Sequence, residues 1–189
     1  PFAGRMPWDV PVHPLGLGAS EPRFQPECIA ERLNWRGLRQ RSALLCFGGL
    51  GLPLEPALLQ SWPDWQFLVV NEALAQAANA TWLAEDLRPV DVMPLCSVVI
   101  TKPGYSTFAE ALSQDCGLVV VERSGFAEAE VLQKGLQQHG FHRLLTRRAF
   151  EQGQWLLDQP LAPPQGLPLP TDGAASASEW VFAALSQSR

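Results

Sequence analysis

Residues 97–112 read SVVITKPGYSTFAEAL, from Ser97 to Leu112, and this stretch decides the fold. Ser97 to Thr101 is apolar and β-branched without alternation, the pattern of a strand buried on both faces of a parallel sheet. Lys102-Pro103-Gly104 ends the strand. Thr107 to Gln114 then reads as a helix. A strand, a tight loop and a helix make half of a βαβ unit, whose next strand lies parallel to the first.

Working outward, the pattern repeats. Gly117 to Val121 (GLVVV) is the following strand. Upstream, Ser42 to Phe47 (SALLCF) and Trp65 to Val70 (WQFLVV) are strands, with a weaker one at Ala80 to Leu83; downstream, Arg143 to Thr146 is a sixth. Helices fall between them: Pro53 to Trp62, an alanine-rich stretch at 71–79, a short turn from Asp91 to Cys96, Ala127 to His139 with Gly140 as its stop, and Arg147 to Asp158. The class is α/β, doubly wound, with a mostly parallel sheet of about six strands and helices on both faces. Residues 1–25 form a proline- and glycine-rich interdomain segment, in which Val12 to Gly16 reads as a short edge strand. Residues 26–158, opening with a helix at Pro26 to Trp35, are the ligand-binding unit. Residues 159–189 are a proline-rich link and a terminal helix, which a capping box at Ser176 to Glu179 opens and which carries Trp180, Val181, Phe182 and Leu185.

Composition sets the bounds. At 189 residues, 47% hydrophobic and 17% charged, the chain is long enough to bury roughly 70% of its unfolded surface. The net charge of −5 and the lack of a basic stripe argue against nucleic acid as a partner. No apolar run approaches the ~20 residues of a membrane span, and no signal peptide is visible. The four cysteines, Cys28, Cys46, Cys96 and Cys116, show neither CxxC nor zinc spacing, so they read as reduced thiols of a cytoplasmic protein. The chain begins at Pro1, as a processed chain or a cut piece of a longer one would.

In doubly wound sheets, ligands bind beyond the C-terminal ends of the strands. Two loops there stand out. Gly48-Gly49-Leu50-Gly51 lets the backbone approach a bulky anion closely, although a tight strand-to-helix turn would need the same residues. Lys102 to Thr107 places one of two lysines, beside twelve arginines, at the start of a helix that offers unpaired N–H groups and two hydroxyls, a phosphate site in outline. Glu110 has two readings. Thr107 and Glu110 fit a capping box, or the carboxylate accepts from both hydroxyls of a ribose. Arg123 reads as a donor-phosphate contact or a surface ion pair. His139 and His142 lack a third metal ligand. His13 belongs to an interdomain cleft or to an ordinary loop.

ITKPGYSTFAEAL, followed by GLVVVERSGFAEAEVL and preceded by CFGGLG, resembles the donor-binding half of GT-B glycosyltransferases, and within them the family 28 group. The likeness runs over about residues 42–158. It implies a Rossmann-like half of a GT-B fold that holds a nucleotide-sugar, usually a UDP-sugar. By motif, Gly49, Lys102, Gly104, Ser106 and Thr107 would meet the donor diphosphate, Glu110 the ribose, and Glu128 and Glu130 the donor sugar. The loop around Val90 to Met93 would lie near the base. The resemblance implies hexosyl transfer without a metal or other cofactor, the acceptor site and general base lying in an N-terminal acceptor domain that could also associate peripherally with a membrane. Lys102-Pro103 and the Phe-Ala-Glu-Ala-Glu run depart from the family pattern, which points to a separate subgroup. Two alternatives share the fold: a non-catalytic sugar-nucleotide-binding or regulatory module, and a UDP-sugar 2-epimerase-like enzyme, for which no histidine accompanies the motifs.

Overall fold

The computed structural model describes residues 12–48 and 54–187. Strand β1 (Ser42–Cys46), β2 (Gln66–Val69), β3 (Ala80–Trp82), β4 (Val98–Thr101), β5 (Gly117–Val121) and β6 (His142–Leu145) form a six-stranded sheet in the order β3-β2-β1-β4-β5-β6. Every neighbouring pair is parallel; an isolated antiparallel bridge joins His142 to Ala162 of the link. The order reverses between β1 and β4, so the chain runs outward from β1 in one direction and then from β4 in the other. The C-terminal ends of these two strands therefore flank the crevice where such sheets take ligands.

Each strand's alternate residues go to opposite cores. Leu44, Leu68, Val99, Leu118 and Val120 face one core; Leu45, Phe67, Val69, Ile100, Val119 and Val121 face the other. The first is covered by helices α1 (Pro26–Arg32), α3 (Pro89–Val92), α4 (Tyr105–Ser113) and α5 (Ala129–His139), through Ile29, Val90, Phe108 and Leu132. The second is covered by α2 (Pro56–Gln60) and α6 (Arg147–Glu151), through Leu59 and Phe150, with Trp155 stacked on Phe150 at 5.4 Å. Burial on both faces is why the strands read as unbroken apolar runs. Each fully buried Leu, Ile or Phe contributes roughly 1.5–3 kcal/mol relative to exposure. Cys46, Cys96 and Cys116 are buried free thiols and Cys28 an exposed one; burial pushes Cys116 up to about 12.

Several expectations are corrected. Val12 to Gly16 forms no strand; the adjoining Leu17 instead donates its N–H to Pro170 O and accepts from Gly173 N–H, which ties the segment to the start of helix α7 (Gly173–Gln187). Ser176 is inside α7, its N–H bonded to Asp172 O and its hydroxyl to the Asp172 carboxylate, so the capping box does not open that helix. Trp180, Val181, Phe182 and Leu185 of that helix are exposed. The helix from Arg147 stops at Glu151 because Gly153 takes a left-handed φ of 70°, a conformation glycine adopts without strain. Residues 72–76 form a 3₁₀ turn capped by the Asn71 side chain.

Candidate functional site

Strands β1 and β4 are joined at their C-terminal ends, where Thr101 Oγ1 donates to Cys46 O at 2.6 Å inside the sheet. Beyond that join, Gly48 takes a left-handed φ of 61°. A side chain there would be strained and would point at the Lys102 Nζ, 3.9 Å from the position of its first carbon. The Lys102 ammonium thus lies close to Gly48, where the chain leaves β1. Partial burial, and then the nearby positive charge of Arg123, pull its pKa below the ordinary lysine value. The Arg123 guanidinium, from the loop after β5, stacks on the Phe126 ring at 4.3 Å. The repulsion between these two positive charges is one that an anion between them would relieve.

Helix α4 starts there. Its cap is Gly104, extended at φ −170° and ψ 128°, with no side-chain cap bond, and space for a side chain at Gly104 is open to beyond 4 Å. The first-turn N–H groups have no partner within the helix and lie at the positive end of its dipole. Ser106 is exposed and Thr107 half-buried. Glu110 follows Ser106 by four residues and Thr107 by three, so all three share one face. Because the helix begins at Tyr105, Thr107 is inside it and is not its cap; the capping-box reading of Glu110 is therefore set aside. Burial raises the Glu110 pKa, a hydrogen bond from the Ser20 hydroxyl and the charge of Arg88 oppose the rise, and the Asp91 charge adds to it.

The other residues singled out by sequence are more scattered. Gly49 lies outside the described residues. Glu128 is the exposed cap residue of α5 and makes no side-chain cap bond. Glu130, in the first turn of α5, pairs with Lys134 at 2.6 Å on the solvent side. His139 and His142 each engage a backbone carbonyl through Nδ1, at Leu167 (2.7 Å) and Gly140 (3.0 Å). The His13 ring packs against Trp180 at 4.7 Å. It lines a cleft of about 670 Å³ with Tyr105, Leu169 and Ala177, on the flank of α4.

Sequence reasoning missed the segment lying across α4. Gly18 N–H donates to the Tyr105 hydroxyl at 3.2 Å, and the Arg88 guanidinium donates to Glu21 O at 2.7 Å. The segment is fixed by Asp91, whose side chain is completely buried. Asp91 accepts from Arg23 N–H (2.9 Å) and Arg88 N–H (2.9 Å), from the Arg23 guanidinium (2.6 Å) and from that of Arg88 (3.0 Å). Burial alone would raise its pKa; these bonds outweigh it and hold the carboxyl well below the usual range. The run Arg88-Pro89-Val90-Asp91, with proline first and an acid third in the helix, is a readable helix start.

No protein-family model matches the chain. Over 152 residues it is 31% identical to L-arabinokinase of Arabidopsis thaliana, a match that takes in 78% of this chain and 14% of that protein. The chain thus spans about one seventh of the length of this curated relative. Among solved structures, the glycosyltransferase SnogD from Streptomyces nogalater aligns with 76% of this chain and 43% of its own, at 19% identity and a TM-score of 0.43. The Rossmann-like fold is read from the strand order itself. Among the described residues, no helix is long and apolar enough to cross a membrane.

Proposed function

We propose that this chain is the nucleotide-sugar-binding domain of a family 28-like glycosyltransferase, with a UDP-sugar as its ligand. The observation that carries the reading is the convergence at the strand-order reversal. A helix start without a side-chain cap at Gly104 and the Lys102 ammonium near Gly48 stand at the C-terminal ends of β4 and β1, and half-buried Glu110 follows on α4. In this reading the diphosphate sits on the N–H groups and hydroxyls of Ser106 and Thr107, beside Lys102. The ribose diol lies on Glu110, and Glu128 and Glu130 border the sugar. During hexosyl transfer the bond between the anomeric carbon and the diphosphate breaks, and charge grows on the departing oxygens. Preorganised N–H groups and a cation stabilise that charge without proton transfer. The acceptor and its general base belong to a second domain.

Calorimetric titration with uridine diphosphate and adenosine diphosphate tests the reading. Binding of uridine diphosphate at micromolar to low millimolar levels, weakened in Glu110→Ala, supports it; no binding of either refutes it, and binding of adenosine diphosphate alone refutes the uridine assignment. A second reading is favoured by the L-arabinokinase match: the domain serves as a sugar-nucleotide-binding module beside a sugar-phosphorylating domain. Nucleotide binding with no sugar transferred by the full-length protein would single out that reading.

A further inference from the structure

Among the described residues, three arginines are half-buried: Arg88, Arg123 and Arg143. Arg88 pairs with the Asp91 carboxylate at 3.0 Å. Arg143 donates to backbone carbonyls, among them Leu156 O at 2.7 Å and Pro160 O at 2.8 Å. Arg123 has neither kind of partner among the described residues. Its guanidinium lies over the Phe126 ring, 4.3 Å from the centroid, and Phe126 packs against the core that Phe108 and Tyr105 of α4 also join. The stack therefore holds the guanidinium on the α4 side of the sheet. The adjacent carboxylate is engaged elsewhere: Glu122 accepts from the Arg147 N–H at 2.8 Å, at the start of α6, and α6 covers the opposite face.

Strand register sets this guanidinium beside the candidate site. Cys46 of β1, Thr101 of β4 and Val120 of β5 stand side by side in the sheet, so the three parallel strands leave it at one edge. Gly48, Lys102 and Arg123 all follow within three residues of that line. Neighbouring strands are about 4.8 Å apart, so the loop carrying Arg123 leaves one strand spacing from the loop that opens α4. A partly desolvated guanidinium that makes no hydrogen bond is costly, and its planar fork of N–H donors matches two oxygens of one phosphate. We propose that Arg123 is a further ligand-binding residue of the nucleotide site, its guanidinium gripping the terminal phosphate of a nucleoside diphosphate while the start of α4 and Lys102 hold the diphosphate from the β4 side. The terminal phosphate is the one nearer Arg123 because Glu110, assigned to the ribose, lies on α4, whereas Glu128 and Glu130, assigned to the sugar, follow Arg123 along its own loop and helix. The proposal rests on the nucleotide reading of the crevice.

The test uses the full 189-residue chain with uridine diphosphate and uridine monophosphate as probes in calorimetric titrations. Arg123→Ala weakens the diphosphate about tenfold, the size of a charge-assisted hydrogen bond, and leaves the monophosphate within about twofold. Arg123→Lys, which keeps the charge but not the fork, recovers part of that loss. Phe126→Leu keeps an apolar side chain on the core but removes the stacked ring, and weakens the diphosphate roughly threefold. An unchanged diphosphate affinity in Arg123→Ala overturns the proposal while leaving nucleotide binding intact. An equal loss for both probes also overturns it, because a contact with the terminal phosphate has no partner in the monophosphate. If the parent protein binds neither probe, the nucleotide reading itself falls and takes the proposal with it.

Discussion

Two carboxylates on one side of the sheet, Asp91 and Glu110, both feel Arg88 but have opposite surroundings. Asp91 is wholly buried and saturated by two guanidinium groups and two backbone N–H groups, and its pKa is driven down. Glu110 is half-buried, and burial drives its pKa up. A carboxylate that serves the fold is paid in full by its neighbours. A carboxylate without such partners bears part of its desolvation, as the proposed ribose-binding role of Glu110 would require. Perturbed groups in a cleft are candidates for function on this ground, and the two carboxylates are shifted in opposite directions.

The contrast can be broken most severely at Asp91. Asp91→Ala removes the acceptor for two backbone N–H groups and two arginines. Because both guanidinium groups are partly exposed, the expected loss is about 3 kcal/mol, the low end for a broken buried pair. Urea unfolding measures it, and a loss below about 1 kcal/mol would contradict the assigned role. Glu110→Ala should do the reverse, changing stability by under about 0.5 kcal/mol while lowering uridine diphosphate affinity by tenfold to a hundredfold. Lys102→Ala comes next. It should weaken the diphosphate about tenfold and flatten the salt dependence of binding, while leaving the weak binding of uridine unaltered.

The smallest effect is in the pH dependence of stability. Asp91 has a native pKa below the ordinary 3.8, so its contribution is complete above that value and is lost as pH falls through the native one. Glu110 has a native pKa above the ordinary 4.5, so the fold binds that proton more tightly than the unfolded chain does, and stability rises slightly as pH falls through the raised value. Urea midpoints across pH should show the acid loss vanish in Asp91→Asn and the small opposing gain vanish in Glu110→Gln.

The sheet was legible in the sequence because burial on both faces writes itself as unbroken apolar runs, as in SALLC and GLVVV. The α4 loop was legible because Pro103-Gly104 followed by two hydroxyl residues is a local pattern. The helix starts were less so: the backbone extended at Gly104 begins α4 two residues before Thr107, and Asp172 rather than Ser176 bonds the first turn of α7. The segment over α4 was not legible at all. Its contacts join residues 68 and 87 positions apart, Arg23 to Asp91 and Gly18 to Tyr105, and the segment itself has no hydrophobic period to betray a packed surface. Glu130 illustrates the converse, because its motif position says nothing of Lys134 one turn later.

The most direct measurement is a crystal structure of the chain with uridine diphosphate. The account predicts the diphosphate oxygens at about 3 Å from the N–H groups of Ser106 and Thr107, with the Lys102 ammonium beside them and both ribose hydroxyls on Glu110. A nucleotide bound elsewhere, or a ribose turned away from Glu110, would contradict it.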